Sequence, residues 1–355
     1  SAQALAFQMN SGYYVGNGVA RSITGVGFQP DLVIIKADTA AGYAVFKTSS
    51  MIGDTTAIFT VAVGLKPGLI TSIIPDGFTL GPEGGYGSYI NAANVRYAWT
   101  AFKNNGEGDF SVGKYTGDDI DPHLINISMQ PKLVWVKRDG VSQGVWHSTS
   151  MAADSTHYFA ANTTGSAVFP NMIQAFNSDG FEVGGDDAVN NWGDSYYYVA
   201  FNENSGTLKV GSYTGSTESK SIAGVGFKPD FLFTKESRTT TSEVATLRLD
   251  KNYGDESQFF SATANATNCV QALESGGFKV GTNERANSGG KTYYYAAFLG
   301  VPAPPTPTGK FKMIYGDYEG NNTAETISDV GFRPDLVIIK FDYHPASGGG
   351  YGVFT

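Results

Sequence analysis

An all-β chain built from tandem antiparallel sandwiches is what this sequence predicts, on three observations. The first is repetition. "GVGFQPDLVIIK" (Gly25–Lys36), "GVGFKPDFLFTK" (Gly224–Lys235) and "DVGFRPDLVIIK" (Asp329–Lys340) are nearly the same twelve residues, and "NISMQPKLVWVK" (Asn126–Lys137) is a worn copy. Their prolines, Pro30, Pro131, Pro229 and Pro334, stand 101, 98 and 105 residues apart. That period exceeds a solenoid repeat and matches a small domain. The second is composition: 45 Gly, 20 Tyr and 23 Phe among 355 residues, with only 16% charged, suits short turns and aromatic strands. The third is that no stretch keeps apolar residues at a 3.6-residue spacing, so almost no helix is expected.

Each repeat parses into the same elements. A first strand ends in a glycine turn ("FSVGKYTGDD", "LKVGSYTGST", "MIYGDYEGNN"). A short second strand leads to the "GVGF" element. Pro-Asp then opens the third strand, where proline's missing N–H need not break a ladder. A fourth strand follows ("YAVFKTS", "GVWHSTS" and, more loosely, "EVATLRL"), then weaker strands and a "DGF" turn ("DGFTLG", "DGFEVG", "GGFKVG"). An aromatic strand closes the repeat ("RYAWTAF", "YYYVAF", "YYYAAF").

Two of these strands carry apolar residues on both faces. In "LVIIK", Leu32 and Ile34 point one way and Val33 and Ile35 the other. One layer of a sandwich needs a single apolar face, so the second face must be covered by a loop or a neighbouring module. In the closing strand Tyr197, Val199 and Phe201 share one face, and Tyr196, Tyr198 and Ala200 the other. These aromatics read as packing residues.

The repeats divide the chain into modules at 1–104, 105–204 and 205–300, a proline-rich linker at 301–310 ("VPAPPTPTGK"), and the opening strands of a fourth module at 311–355. The first three are expected to be self-sufficient lobes on a string. The joints after Phe102 and Phe201 are hairpin-length, which brings the last strand of one module beside the first of the next. The linker should be an extended spacer. Half a module cannot bury a full core, so the fourth should be completed by further chain or by a strand from another chain.

A net charge of −9 and a pI near 4.9 argue against nucleic acid as partner. No apolar run is long enough to span a bilayer as a helix, and the first residues as written do not read as a signal peptide. The single cysteine, Cys269, is expected to be a buried structural thiol. The four histidines, His123, His147, His157 and His344, show no zinc spacing, and neither a GxSxG elbow nor a phosphate loop is present. No catalytic, metal or cofactor residues are assigned, and an enzyme is not expected. "GDDIDPH" and "GGDDAVNNW" read as solvated turns rather than calcium loops. The loop before each aromatic strand varies most, which places any recognition there. In it Tyr86, Tyr89 and Trp192 could stack on a sugar, with Asp186 and Asp187 accepting its hydroxyls.

The pattern "SYTG…GVGFKPDF…DGF…YYYVAF" resembles a module repeated in tailed-bacteriophage tail fibres and other virion structural proteins, itself similar to laminin-G or concanavalin-like jelly rolls. The resemblance runs through the whole chain. Its marks are Gly224-Val225-Gly226-Phe227, Pro229-Asp230, Gly277-Phe278 and Tyr293–Phe298, and the second module departs from it at "NISMQPK". It implies all-β, jelly-roll-like modules with very little helix. It also implies a structural virion or tail-appendage protein that provides rigid spacing, sits outside the cell and contacts other subunits, as a homo-oligomer. Alternatives are an adhesin for host-surface glycans, a bacterial extracellular filament or surface protein, and a glycan-degrading enzyme.

Overall fold

The computed structural model describes residues 7–161, 168–203, 206–237, 243–252 and 254–300, together with isolated positions and two short strands between 326 and 354. Residues 1–304 form one compact unit and 305–355 a second. The linker at 301–310 and most of the fourth module lie outside the described residues.

The first repeat contains β1 (Phe7–Val15), β2 (Arg21–Thr24), β3 (Leu32–Ala37), β4 (Val45–Thr48), β5 (Ala57–Ile58), β6 (Ile70–Ile74), β7 (Gly77–Leu80), the one-turn helix α1 (Ser88–Asn91) and β8 (Arg96–Asn104). The second runs β9 (Phe110–Thr116), β10 (His123–Asn126), β11 (Leu133–Arg138), β12 (Val145–Ser148), β13 (His157–Tyr158), β14 (Ile173–Asn177), β15 (Gly180–Val183), α2 (Asp187–Asn190) and β16 (Ser195–Phe201). The third runs β17 (Leu208–Thr214), β18 (Lys220–Ala223), β19 (Phe231–Ser237), β20 (Thr246–Leu249), β21 (Glu256–Phe259), β22 (Ala266–Thr267), β23 (Val270–Glu274), β24 (Gly277–Val280), α3 (Glu284–Asn287) and β25 (Thr292–Phe298). All strand pairing is antiparallel, and each repeat makes two sheets. In the first these are β1-β8-β3-β4-β5 and β2-β7-β6; the second repeats the order, and the third does so with β22 added as a sixth strand beyond β21. The molecule is all-β, as its composition and periodicity require.

Local chemistry explains the shared elements. Gly25 and Gly27 adopt φ of 85° and 88°, which aims both N–H groups at the Asp76 carboxylate of the "DGF" turn at 3.0 and 2.7 Å. The second module keeps the turn with Ser128 at φ 57° and holds it by Ile127 N–H on the Asp179 carbonyl. Asp31 of Pro-Asp accepts from Ser49 Oγ and from the Asn104 amide, both at 2.9 Å, tying the start of β3 to the joint after β8. Gly12, Gly113 and Gly211 each pair across their sheet with an aromatic, Trp99, Tyr198 and Tyr295. A Cβ on Gly113 would lie 2.3 Å from the Tyr198 hydroxyl oxygen, so glycine lets the ring lie across the strand.

The two apolar faces of the third strand now have their partners. Val33 and Ile35 of β3 enter an interior private to the first module, between its two sheets. Leu32 and Ile34 enter another that all three modules share. β16 divides as its alternation demands: Tyr196, Tyr198 and Ala200 to the second module's own interior, Tyr197, Val199 and Phe201 to the shared one. The covering layer is a sister module.

That sharing corrects one expectation. The three lobes are not self-sufficient beads. They close into a ring about an approximate threefold axis. Phe59, Phe159 and Phe260 meet there as a triangle of rings, with centroids 4.8–4.9 Å apart. Phe102, Phe201 and Phe298 form a second triangle at 5.0–5.5 Å. Around the first triangle runs a closed cycle of backbone hydrogen bonds. Ala44 N–H donates to Phe260 (2.9 Å), Phe260 to Ala245 (3.1 Å), Ala245 to Phe159 (2.9 Å), Phe159 to Gly144 (3.1 Å), Gly144 to Phe59 (2.7 Å) and Phe59 back to Ala44 (3.2 Å). The physical reason is burial. The three-stranded sheet covers only one face of the larger sheet, and the other face carries residues such as Phe46, Trp146 and Phe233. Leaving each of those in water would forgo about 1.5–3 kcal/mol.

Candidate functional site

The sequence placed recognition on the loop before each aromatic strand. In all three modules that loop folds into the one-turn helix and is clamped from below by two stacked tyrosines. Tyr14–Tyr97, Tyr115–Tyr196 and Tyr213–Tyr293 lie with centroids 5.3, 5.1 and 5.1 Å apart. Their hydroxyls donate to helix carbonyls: Tyr115 to Val189 at 2.7 Å and Tyr196 to Asp187 at 2.8 Å in the second module. Burial raises Tyr115 well above the ordinary phenol range and takes Tyr196 up to about 12, so both stay donors. An asparagine ends each helix. Asn190 donates to the Ile120 carbonyl at 2.8 Å and accepts from the Asp118 amide at 3.0 Å, fastening the turn after β9 to the loop. The tyrosines of the closing strands are therefore packing and clamping groups.

The five proposed glycan-contacting residues fall into two places. Tyr86 and Tyr89 sit on the first module's loop. Tyr86 packs edge-on against Tyr89 at 5.9 Å, and Tyr89 against Tyr43 at 5.2 Å. Lys66 lies over the Tyr86 ring at 5.3 Å. Both tyrosines are half-buried against the first module's interior, so they hold the loop down. Asp186, Asp187 and Trp192 lie on the second module's loop. Asp186 caps α2 by accepting from Ala188 N–H at 2.8 Å. Asp187 occupies the helix's first turn, its carboxylate exposed and 4.0 Å from Arg138. Trp192 is 71% exposed.

Sequence reasoning passed over the neighbours of these last three. Ile120, 60% exposed, stands on the turn that Asn190 fastens, and the Trp192 amide donates to Asp119 Oδ1 at 2.8 Å on the same turn. Gly193 N–H closes onto the Gly117 carbonyl at 2.9 Å. Trp192 and Ile120 are thus exposed apolar side chains on two loops locked to each other. The first module has Ala93 where the second has Trp192, and the third has Gly289. On the other side of α2 a shallow groove of about 290 Å³ runs along the joint with the first module. Ala62, Arg138, Gln143, Tyr158 and Asp187 are among its walls. Its polar groups are largely engaged: Arg138 Nε holds Asp194 at 2.7 Å and Gln143 reaches the Thr60 carbonyl at 3.2 Å. Hydrogen bonds from Asn191 and Arg138 keep the Asp194 carboxyl below its usual range. A second, mostly polar hollow of about 430 Å³ lies by Glu107, Ser128 and Lys132.

Among the described residues no three His, Cys, Asp or Glu side chains converge as a metal site. Cys269 is fully buried, and burial pushes its thiol up to about 12, as a structural cysteine requires. The remaining ionisable groups of note sit in the joints. Lys137 Nζ donates to three carbonyls, Val63 of the first module at 2.6 Å and its own Arg138 and Ser142 at 2.9 and 2.7 Å. Lys235 reaches Ala160 of the second module at 2.8 Å. Asp38, buried beside Arg96, accepts from Gln258 at 2.8 Å and Asn265 at 3.1 Å of the third module, which closes the ring.

A family model described as a domain of unknown function (DUF7483) matches the chain three times, at residues 7–112, 107–207 and 190–302. The chain therefore belongs to this family in three tandem copies. No curated protein matches it.

Proposed function

We propose that this DUF7483 chain is a structural protein, a rigid block of an extended appendage carried outside the cell, with the tail or tail fibre of a phage particle as its setting. One observation supports this reading above the others: three modules of one chain are closed into a ring by a shared aromatic interior and an unbroken cycle of backbone hydrogen bonds. A closed ring resists shear and bending because no module can leave without exposing its neighbours' cores. The buried charged groups of the joints serve the same end, since Lys137 and Asp38 each reach across to a sister module as well as bonding within their own. Antibody labelling of particles released by producing cells tests the assignment. Label on tails or surface filaments supports it, and label confined to the cytoplasm refutes it.

A second reading, an adhesin that contacts surface glycans, is favoured by the Trp192–Ile120 pair, held exposed on two interlocked loops in one module only. Exposed aromatic faces flanked by carboxylates suit a sugar ring. A glycan array read with the native chain and with Trp192→Ala decides it. Binding that disappears in the variant supports the adhesin, and equal binding by both proteins removes these residues from consideration.

A further inference from the structure

The chain's negative charge is not spread evenly over the ring. Residues 105–204 carry thirteen Asp and Glu against four Lys and Arg, a net of −9 that equals the whole chain's. The first module has five acids against six bases and the third nine against ten, so each stands at +1. Six of the second module's acids lie on the two loops that hold Trp192 and Ile120. Asp118, Asp119 and Asp121 are on the turn after β9, and Asp186, Asp187 and Asp194 are around α2. The fold does not ask for most of them. In every module the turn docks by the same bond, an amide donating to the asparagine that ends the one-turn helix, from Asn17 at 3.2 Å, Asp118 at 3.0 Å and Ser216 at 2.7 Å. Where the second module has Asp119 and Asp121, its sisters have Gly18 and Ala20, and Thr217 and Ser219. Beside these acids, Arg138 is committed to Asp194 at 2.7 Å, and His123 lies 3.1 Å from Asp118. The Asp187 side chain is 75% exposed, and Asp119 and Asp121 are exposed as well.

Resting on the adhesin reading, we infer that the face built from Trp192, Ile120 and these carboxylates binds a cationic glycan, one whose sugars carry free amines. Trp192 and Ile120 cover the apolar C–H face of a pyranose, and the sugar's ammonium lies against Asp119, Asp121 or Asp187. The same charge repels uronates, sialic acids and phosphorylated sugars, which narrows the surface polymers this face accepts. Two apolar side chains make too small a core for a stable protein interface, which takes about 800 Å² from each partner. A single sugar ring is the size they cover. Asp186 and Asp187 also wall the groove of about 290 Å³ on the other side of α2. That helix has four residues and is about 6 Å long, so an oligomer of a few sugars reaches from Trp192 into the groove.

Isothermal titration calorimetry with the full chain compares two probes, a glucosamine hexamer and the same hexamer fully N-acetylated. The buffer is mildly acidic, so that the amines are protonated and the aspartates ionised. Acetylation removes the charge and keeps the rings. The amine form is expected to bind at least about tenfold tighter than the acetylated one, and to weaken as salt is added. Trp192→Ala should abolish binding. The triple change Asp119→Asn, Asp121→Asn and Asp187→Asn should cost the amine form roughly tenfold and leave the acetylated form as it was. Asparagine keeps the oxygen that accepts from the Trp192 amide, so thermal melting should not move. No binding of the amine hexamer, equal binding of both hexamers, or binding unchanged by Trp192→Ala overturns the inference. So does a lysine hexamer bound as tightly, which would make the face a site for basic peptide. A Trp192-dependent hit on neutral or acidic sugars would sink the amine preference and keep the adhesin, whereas silence toward every glycan would remove both.

Discussion

Replacing Phe159 by alanine distinguishes a ring from three beads. Phe159 is fully buried on the axis. Its ring touches Phe59 and Phe260 at 4.9 and 4.8 Å, Phe233 at 5.7 Å, Trp146 at 6.0 Å and Trp135 at 6.1 Å. Truncating a buried phenylalanine costs about 3–5 kcal/mol. The upper end applies here, because each aromatic neighbour adds roughly 0.5–1.5 kcal/mol beyond area and the facing rings cannot collapse into the void without breaking the axial cycle. With a guanidinium slope near 6 kcal/mol per molar, a loss of about 5 kcal/mol should lower the midpoint by roughly 0.8 M. The assay is guanidinium unfolding followed by fluorescence of a variant that keeps Trp99 as its one tryptophan. Trp99 lies in the first module's private interior, although the substitution is in the second. In a ring the Trp99 signal moves with the global transition, and its midpoint drops as far as that of circular dichroism. If Trp99 reports an unshifted transition while a separate, earlier one appears, the modules are energetically independent and the shared interior carries no coupling.

Two further predictions concern the joints. Lys137→Met keeps the volume of the stem but leaves the carbonyls of Val63, Arg138 and Ser142 without their donor, so stability at pH 7 should drop by about 2–4 kcal/mol in a thermal or guanidinium melt. The ammonium's pKa also sets a pH signature. Burial lowers Lys137 to about 7, with Asp139 opposing, against an ordinary value near 10.4. The unfolded chain therefore holds more protons between pH 7 and 10, so stability should climb across that window. The climb should be shallower in the variant, and an identical slope would place the titration elsewhere. His157 gives the acid counterpart. Neither of its ring nitrogens has a hydrogen-bond partner, and burial, then Lys235 and His147, lower it to about 3. Stability should be lost as pH falls from about 6.5 toward 3, where the unfolded chain takes up the proton and the folded one refuses it. His157→Phe should shift acid unfolding to lower pH and hold or raise stability at pH 7 by about 1 kcal/mol; an unmoved acid midpoint would show that another group governs that limb.

Of the candidate site, the sequence located the loops but not their work. Asp186 precedes a run that becomes a one-turn helix too short to leave a periodic trace, so its capping role was invisible. Tyr86 and Tyr89 look the same in sequence whether they face solvent or fold back on Tyr43, and their burial is decided by β4's approach and the chain before it. Ile120 and Trp192 are far apart in sequence, and hydrogen bonds through Asn190 and Asp119 bring their loops together.

The sequence by itself determined the frame. A period of about 100 residues, two-residue alternation and glycine-marked turns are local signals. They laid out the succession of strands along each repeat and showed that β3 and β16 have two faces to hide. What covers the second face was decided only in three dimensions. Phe59, Phe159 and Phe260 each follow a short strand with no pattern of its own, and their meaning lies in one another, about a hundred residues apart each time. Burial energy is indifferent to whether apolar surface is covered by a loop, a lid or a sister. Only the geometry of the large sheets, each bare on one side, made three copies the number that closes.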